Sequence, residues 1–237
     1  MRQSSAEDGA KRLVLALEAS SRTYAVAVGD GEEPRAQAAV PRDDPSFRGL
    51  SELVSRTLDR AGERFGDIGT IGVDVGPGGL LSIRAAVAYA NGLAFALGVK
   101  IFPISSLELM AMAAQRAHPG PILGLRRGLG GNTYAALFAD GELVDMRHGP
   151  PDSVVPAVAG GLARVCVAGT AKDDVEGLLA GVVAEHSGIE DADVAVLYRA
   201  ARAAAADPER LVPAASPLNE GSRIFHEPEA RRHLQRP

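Results

Sequence analysis

The chain has 237 residues, 46% hydrophobic and 23% charged, and a formal net charge of −5 at pH 7, which argues against a strongly basic nucleic-acid groove but does not exclude a protein that assists a nucleic-acid enzyme. Aromatics make up only 4%, with no Trp, so the core must be built from Ala, Val, Leu and Ile. The one cysteine, Cys166, excludes an intrachain disulfide and sits in an apolar run, which suits a small core residue better than a nucleophile.

The opening MRQSSAEDGAKR lacks the apolar run of a signal peptide, and no 18 consecutive apolar residues occur. A cytoplasmic protein without a membrane span is expected, with 1–12 and 222–237 as disordered tails. Leu13 to Glu18 predicts a strand, Ser20 to Arg22 a turn, and Thr23 to Val28 and Ala36 to Val40 two further strands of an antiparallel meander. Phe47, Leu50, Leu53, Val54, Leu58, Ala61 and Phe65 recur at helical spacing, with Ser46 as the predicted N-cap and Gly66 as the stop. Thr70 to Val75 predicts a fourth strand, followed by the loop Gly76-Pro77-Gly78-Gly79. A helix over Leu81 to Leu97 ends at Gly98, Lys100 to Ile104 is a strand, and Ser106 to Ala117 a helix capped by Ser105 or Ser106. Pro119-Gly120-Pro121 marks a boundary between units 13–118 and 119–221.

The pattern then starts again. Pro121 to Leu125 predicts a strand and Arg126 to Asn132 a glycine-rich turn. Thr133 to Ala139 and Leu143 to Arg147 flank the hairpin signal Asp140-Gly141. Val154 to Ala159 predicts a short helix, Arg164 to Ala168 a buried strand, Asp173 to His186 a helix, and Glu190 to Ala206 a long Ala-rich helix. Three strands, helix, strand, helix thus occurs twice. That order predicts an α/β chain with the duplicated actin-like (ASKHA, ribonuclease H-like) fold, two βββαβα halves facing across a cleft.

The loop Gly76-Pro77-Gly78-Gly79 sits between a strand and a helix N-terminus, where phosphate can bind. Yet it is neither GxxxxGK[ST] nor GxGxxG, and Pro77 removes an N–H donor, so a tight turn is the plainer reading. In actin-like nucleotide enzymes an acid ends the first strand and hydroxyl residues follow. Glu18, Ser20 and Ser21 stand there, and with Gly76, Pro77, Gly78 and Gly79 they are the candidate for a vestigial nucleotide loop, although Ser20 and Ser21 read better as turn residues than as phosphate ligands. A second acidic loop is missing, since Leu125 to Asn132 carries Arg126 and Arg127 but no carboxylate. These two arginines could contact an anion, but a solvated turn is the plainer reading. His118, His148, His186, His226 and His233 form no HxxxH or HExxH, so no metal site is expected, and no GxSxG elbow is present.

The helix 81–97 is unusual because Ala85, Ala86, Val87, Ala88, Ala90, Leu93, Ala94, Phe95, Ala96 and Leu97 cover most of its circumference. Such a helix is buried on more than one side, either by its own fold or by a partner. The candidate partner interface is Phe47, Leu50, Val54, Leu81, Arg84, Tyr89, Ala90 and Leu93.

These segments together resemble the TsaB (YeaZ) family. The resemblance rests on LALEASS at 15–21, Gly76-Pro77-Gly78, Ile83-Arg84, ANGLAFALGV at 90–99 and Ser105-Ser106-Leu107-Glu108. It is good over 13–115 and weaker over 121–215. The chain departs from the family at Gly79-Leu80-Leu81-Ser82, where Ser-Phe-Thr-Gly is usual, at Glu18, where Asp is usual, and at Gly124-Leu125-Arg126, where Asp-Ala-Arg is usual. It is therefore identified as a divergent member. The resemblance implies a non-catalytic scaffold or activator, with no catalytic residues and no tightly bound cofactor. It implies docking onto a TsaD-like threonylcarbamoyl transferase through helices 47–65 and 81–97, and homodimers when that partner is absent. ATP and magnesium then enter only through partner subunits, among them a TsaE-like ATPase, and tRNA is met indirectly. The alternative is a divergent paralogue acting as a nucleotide-dependent carbamoyl-group transferase through Glu18 and the 76–79 loop, or as such an enzyme's partner in another pathway.

Overall fold

The structure is a computed structural model that describes residues 12–171, 175 and 177–227. Its first sheet contains β1 (Leu13–Glu18), β2 (Thr23–Gly29), β3 (Ala36–Pro41), β4 (Ile68–Asp74) and β5 (Lys100–Ile104), in the order β3-β2-β1-β4-β5. The meander β1-β2-β3 is antiparallel, while β4 and β5 add in parallel on the other side of β1. β1 is buried at every position, as expected of a central strand covered on both faces. The second sheet repeats the arrangement with β6 (Ile122–Arg127), β7 (Thr133–Ala139), β8 (Glu142–Gly149), β9 (Arg164–Gly169) and β10 (Val183–His186), in the order β10-β9-β6-β7-β8. The duplicated actin-like α/β fold is thereby established.

The helices are α1 (Leu50–Ala61), α2 (Leu80–Leu97), α3 (Ser106–Gln115), α4 (Pro151–Ala159) and α5 (Val194–Ala204). α1 and α2 cover one face of the first sheet, packing Leu53, Val54, Leu58, Ile83, Val87 and Ala90 against Leu15, Val26 and Ile71. The opposite face is covered from the far end of the chain, by Leu197, Tyr198 and Ala201 of α5 against Val14, Ala16 and Phe102. Conversely, α3 lies on the second sheet, with Leu107 and Met110 against Ile122, Ala136 and Phe138. α4 covers that sheet's other face through Val154, Val155 and Val158. Each half therefore completes the core of the other.

Several boundaries differ from the sequence reading. α1 begins at Leu50 after Gly49, not at Phe47 after Ser46. Ser46 instead closes a turn, its N–H donating to Asp44 Oδ1 at 2.7 Å, and Phe47 stacks on Tyr24 with ring centroids 4.5 Å apart. The stop is Gly62, at φ 72°, rather than Gly66; Phe65 belongs to a separate 3-10 turn, Phe65–Asp67. The helix expected over 173–186 is overturned at its C-terminal end, where Val183–His186 forms β10, paired in parallel with β9. Gly177 and Gly181 both hold positive φ, which breaks a helix between them. Residues 172–174 and 176 lie outside the described residues. α5 starts at Val194, not Glu190, because Asp193 caps it by accepting from the N–H groups of Ala195 and Val196. Arg126 and Arg127 extend β6 instead of forming a turn. Arg223–Phe225, within the expected C-terminal tail, is a 3-10 turn that buries Ile224 and Phe225 beside Tyr134.

Gly72, in β4, lies directly beneath α5. A Cβ there would lie 2.6 Å from Ala201 Cβ. Gly72→Val should therefore force α5 away from the sheet and lower stability by about 1–3 kcal/mol, measured by urea unfolding against wild type.

Candidate functional site

The C-terminal ends of β1 and β4 meet at one edge of the cleft between the halves. Glu18 ends β1 and turns its carboxylate back onto the next two residues. Oε1 accepts from Ser20 N–H (2.6 Å), Ser20 Oγ (2.8 Å) and Ser21 N–H (3.0 Å), and Oε2 from Ser21 Oγ (2.8 Å). Asp74 ends β4, wholly buried, with Oδ1 accepting from Gly76 N–H at 2.7 Å and Oδ2 unpartnered among the described residues. Burial raises the pKa of both acids, and the neighbouring Glu18 charge helps to push Asp74 up to about 7.

The glycine loop packs down on this turn. A Cβ on Gly78 would lie 2.4 Å from Ser20 O, and one on Gly79 would lie 2.0 Å from Arg42 Nη1. Gly79 N–H donates to Ser20 O at 3.2 Å, so that loop amide is already used. Ser106 secures the other side, its N–H bonding Gly76 O at 2.9 Å and its Oγ bonding Pro77 O at 2.5 Å. The structure thus brings together Glu18, Ser20, Ser21 and Gly76 to Gly79, but with their polar groups directed at one another. Beside them lies a cleft of about 320 Å³ whose lining includes Ser20, Arg42, Gly79, Arg126 and Asp191. Arg126 is buried, at 6% exposure, which corrects its reading as a solvated turn residue. The sequence reading missed Asp74, Arg42 and Asp191. Asp74 carried a signal, a carboxylate closing an apolar strand; Arg42 and Asp191, in irregular segments, carried none.

The candidate interface divides in two. Leu81 is 81% exposed and Arg84 is exposed, while Phe47, Tyr89 and Leu93 are half-buried. Leu50, Val54 and Ala90 are buried by the chain's own fold, so as partner contacts they are corrected: they point from α1 and α2 into the first sheet's core. The outward stripe of α2 is Leu81, Arg84, Ala85, Ala88, Gly92, Phe95 and Ala96, apolar or small but for the one charge of Arg84. Phe95, 91% exposed, was not among the candidates, though it lies three residues after Gly92 on the same face. By length and composition α2 is apolar enough to cross a membrane, yet its Ile83, Ala86, Val87, Ala90 and Ala94 fill the first sheet's core.

The buried acid gives a pH dependence. Asp74 binds its proton more tightly folded than unfolded, so its stabilising contribution is complete below about pH 4 and is lost as pH rises towards about 7. Asp74→Asn should remove that loss, gaining on wild type by up to roughly 4 kcal/mol between about pH 4 and pH 8. Denaturant unfolding across that range measures it.

The family model described as TsaD, tRNA N6-adenosine threonylcarbamoyltransferase, matches residues 47–172, just over half of the chain. The tRNA N6-adenosine threonylcarbamoyltransferase of Moorella thermoacetica is 32% identical over 123 residues, covering 45% of this chain and 36% of that protein. Its counterpart in Aeropyrum pernix is 27% identical over 226 residues, 80% of this chain and 63% of that protein. The chain thus spans less than two thirds of the length of these relatives. Among solved structures, a Pseudomonas aeruginosa protein described as similar to peptidase YeaZ matches with a TM-score of 0.72 and 25% identity, over 87% of this chain and 98% of that one. Component A of the Acidaminococcus fermentans (R)-2-hydroxyglutaryl-CoA dehydratase, at TM-score 0.50 and 14% identity over 82% of this chain and 99% of that one, shares the fold alone. The chain therefore belongs to the TsaD family, tRNA N6-adenosine threonylcarbamoyltransferase, and has the build of its YeaZ (TsaB) relatives.

Proposed function

We propose that the chain is an accessory subunit in threonylcarbamoyl modification of tRNA adenosine, docking a TsaD-like catalytic subunit and not performing the transfer itself. The observation that carries this reading is the outer face of α2. Leu81 and Phe95, 81% and 91% exposed, stand on either side of a stripe of Ala85, Ala88 and Gly92 that carries one charge, Arg84. Small residues between two large apolar anchors allow another helix to approach closely, and an exposed apolar face of this kind marks a partner surface. Burying each anchor contributes ~1.5–3 kcal/mol. The occupant is a TsaD-like subunit, because this chain belongs to the same family. When that subunit is absent, a second copy of this chain takes its place. A TsaE-like ATPase and tRNA join through the catalytic subunit, which also brings ATP and magnesium.

The rival reading, a nucleotide-dependent carbamoyl-group transferase, needs Glu18 and the 76–79 loop to face a ligand. Glu18 instead takes four hydrogen bonds from Ser20 and Ser21, and Gly79 N–H is bonded to Ser20 O.

Phe95→Arg should weaken binding to the TsaD-like subunit of the same cell by about ten- to a hundredfold, with the thermal midpoint of the isolated chain unchanged. Affinity is read by calorimetry with the purified subunit. Undiminished affinity in Phe95→Arg and in Leu81→Arg would remove the reading. Ala90→Arg is unsuitable, because its side chain would enter the core.

A further inference from the structure

The cleft between the halves is strongly cationic, although the whole chain carries −5. Its lining has four guanidinium groups, on Arg22, Arg42, Arg126 and Arg127, against one carboxylate, Asp191. Two of these cations converge on one atom. Arg42 Nη2 donates to Ser20 O at 2.9 Å and Arg126 Nη1 to the same oxygen at 3.2 Å. Two like charges this close repel each other, the more so because Arg126 is withdrawn from water.

Their existing partners do not saturate them. Among the described residues Arg42 bonds the main-chain oxygens of Ala19 and Ser20 alone, and its Nε is buried without an acceptor. Arg126 meets Asp191 through Nη2 at 3.2 Å, an atom that also approaches Met110 Sδ at 3.9 Å, and among the described residues its Nε has no acceptor. A guanidinium gripped by an oxyanion takes two parallel bonds, and neither arginine has that arrangement. α2 adds to the field. Its N-terminus at Gly79 opens on the same cleft, and no side chain caps it. The acids that could carry a divalent cation here, Glu18 and Asp74, are buried, and each has a carboxylate oxygen bonded to its own turn.

We propose that this cleft binds a phosphate-type oxyanion directly on Arg42 and Arg126, without a metal ion. The anion lies between the two guanidinium groups and replaces their mutual repulsion with charge-assisted hydrogen bonds. Its size is limited by a cleft of about 320 Å³, at the small end of ligand sites, which suits a phosphomonoester or a pyrophosphate. Because two arginines come from different halves, β6 and the segment after β3, the anion also ties the halves together.

Calorimetry on the full chain in EDTA tests this with three probes: inorganic phosphate, pyrophosphate and AMP. The expected result is binding by at least one of them with Kd near or below about 1 mM, weakening with added salt. The tightest of the three identifies the source of the phosphate group. Arg42→Gln should weaken binding about tenfold or more. Arg22→Gln, on the exposed rim, should weaken it severalfold and keeps the test sound if Arg42→Gln fails to fold. Phe95→Arg should leave it unchanged, so this site and the α2 docking face stand or fall separately. No binding of any probe at about 10 mM, binding that needs magnesium, or undiminished affinity in both arginine variants would each overturn the proposal.

Discussion

The turn from Val75 to Gly79 is the constraint on which the rest depends. It joins β4 to α2 and is held by four main-chain bonds to three other segments. Val75 N–H bonds Ile104 O, Gly79 N–H bonds Ser20 O, Ser106 N–H bonds Gly76 O, and Leu218 N–H bonds Val75 O. No side chain fits at Gly78 against Ser20 O. So fixed, the turn sets the direction in which α2 leaves the sheet and which of its faces is buried. The same bonds use a loop amide that a nucleotide phosphate would otherwise take. One local arrangement thus presents a greasy helix face outward and leaves the cleft to be lined by arginines.

The exchange of α3 and α5 between the halves makes that arrangement rigid. α5 comes from the far end of the chain, yet its Tyr198 hydroxyl bonds Gly31 O at 2.8 Å beyond β2. Arg199 pairs with Glu33 in the same loop, a contact of modest energy at the surface. Pro119-Gly120-Pro121 separates the two sheets in sequence, but the packing crosses that boundary twice. Leu197 and Ala201 on one sheet, and Leu107 and Met110 on the other, would be exposed if either half stood alone. On α2, by contrast, no element among the described residues covers Leu81 and Phe95.

Much of this was legible in the sequence, for identifiable reasons. The apolar runs of β1 and β9 announced buried strands. Gly98 ended α2 in a left-handed conformation, Ser105 capped α3 with its side chain, and Asp140-Gly141 took the positive φ angles that a tight hairpin needs. Other features left no local trace. β10 is a polar edge strand, exposed along its length, so neither alternation nor an apolar run marks it. The destination of α3 depends on a sheet made later in the chain. On α2, apolar content showed that the helix would be covered on several sides, but not which residues the sheet would take. Ala90 went inward and Phe95 outward, on a difference of phase along the helix. Arg126 was read as part of a turn because glycines follow it, whereas β6 carries it into the core.

The central claim is that the outer face of α2 is bare in the isolated chain and covered by a TsaD-like subunit. The native thiol Cys166 is buried, so a single cysteine introduced as Ala88→Cys gives a selective probe in the middle of that face. Its rate of maleimide labelling, with and without the partner subunit, is the most direct measurement. The account predicts rapid labelling alone and strong protection in the complex. Equal rates in both states would contradict it.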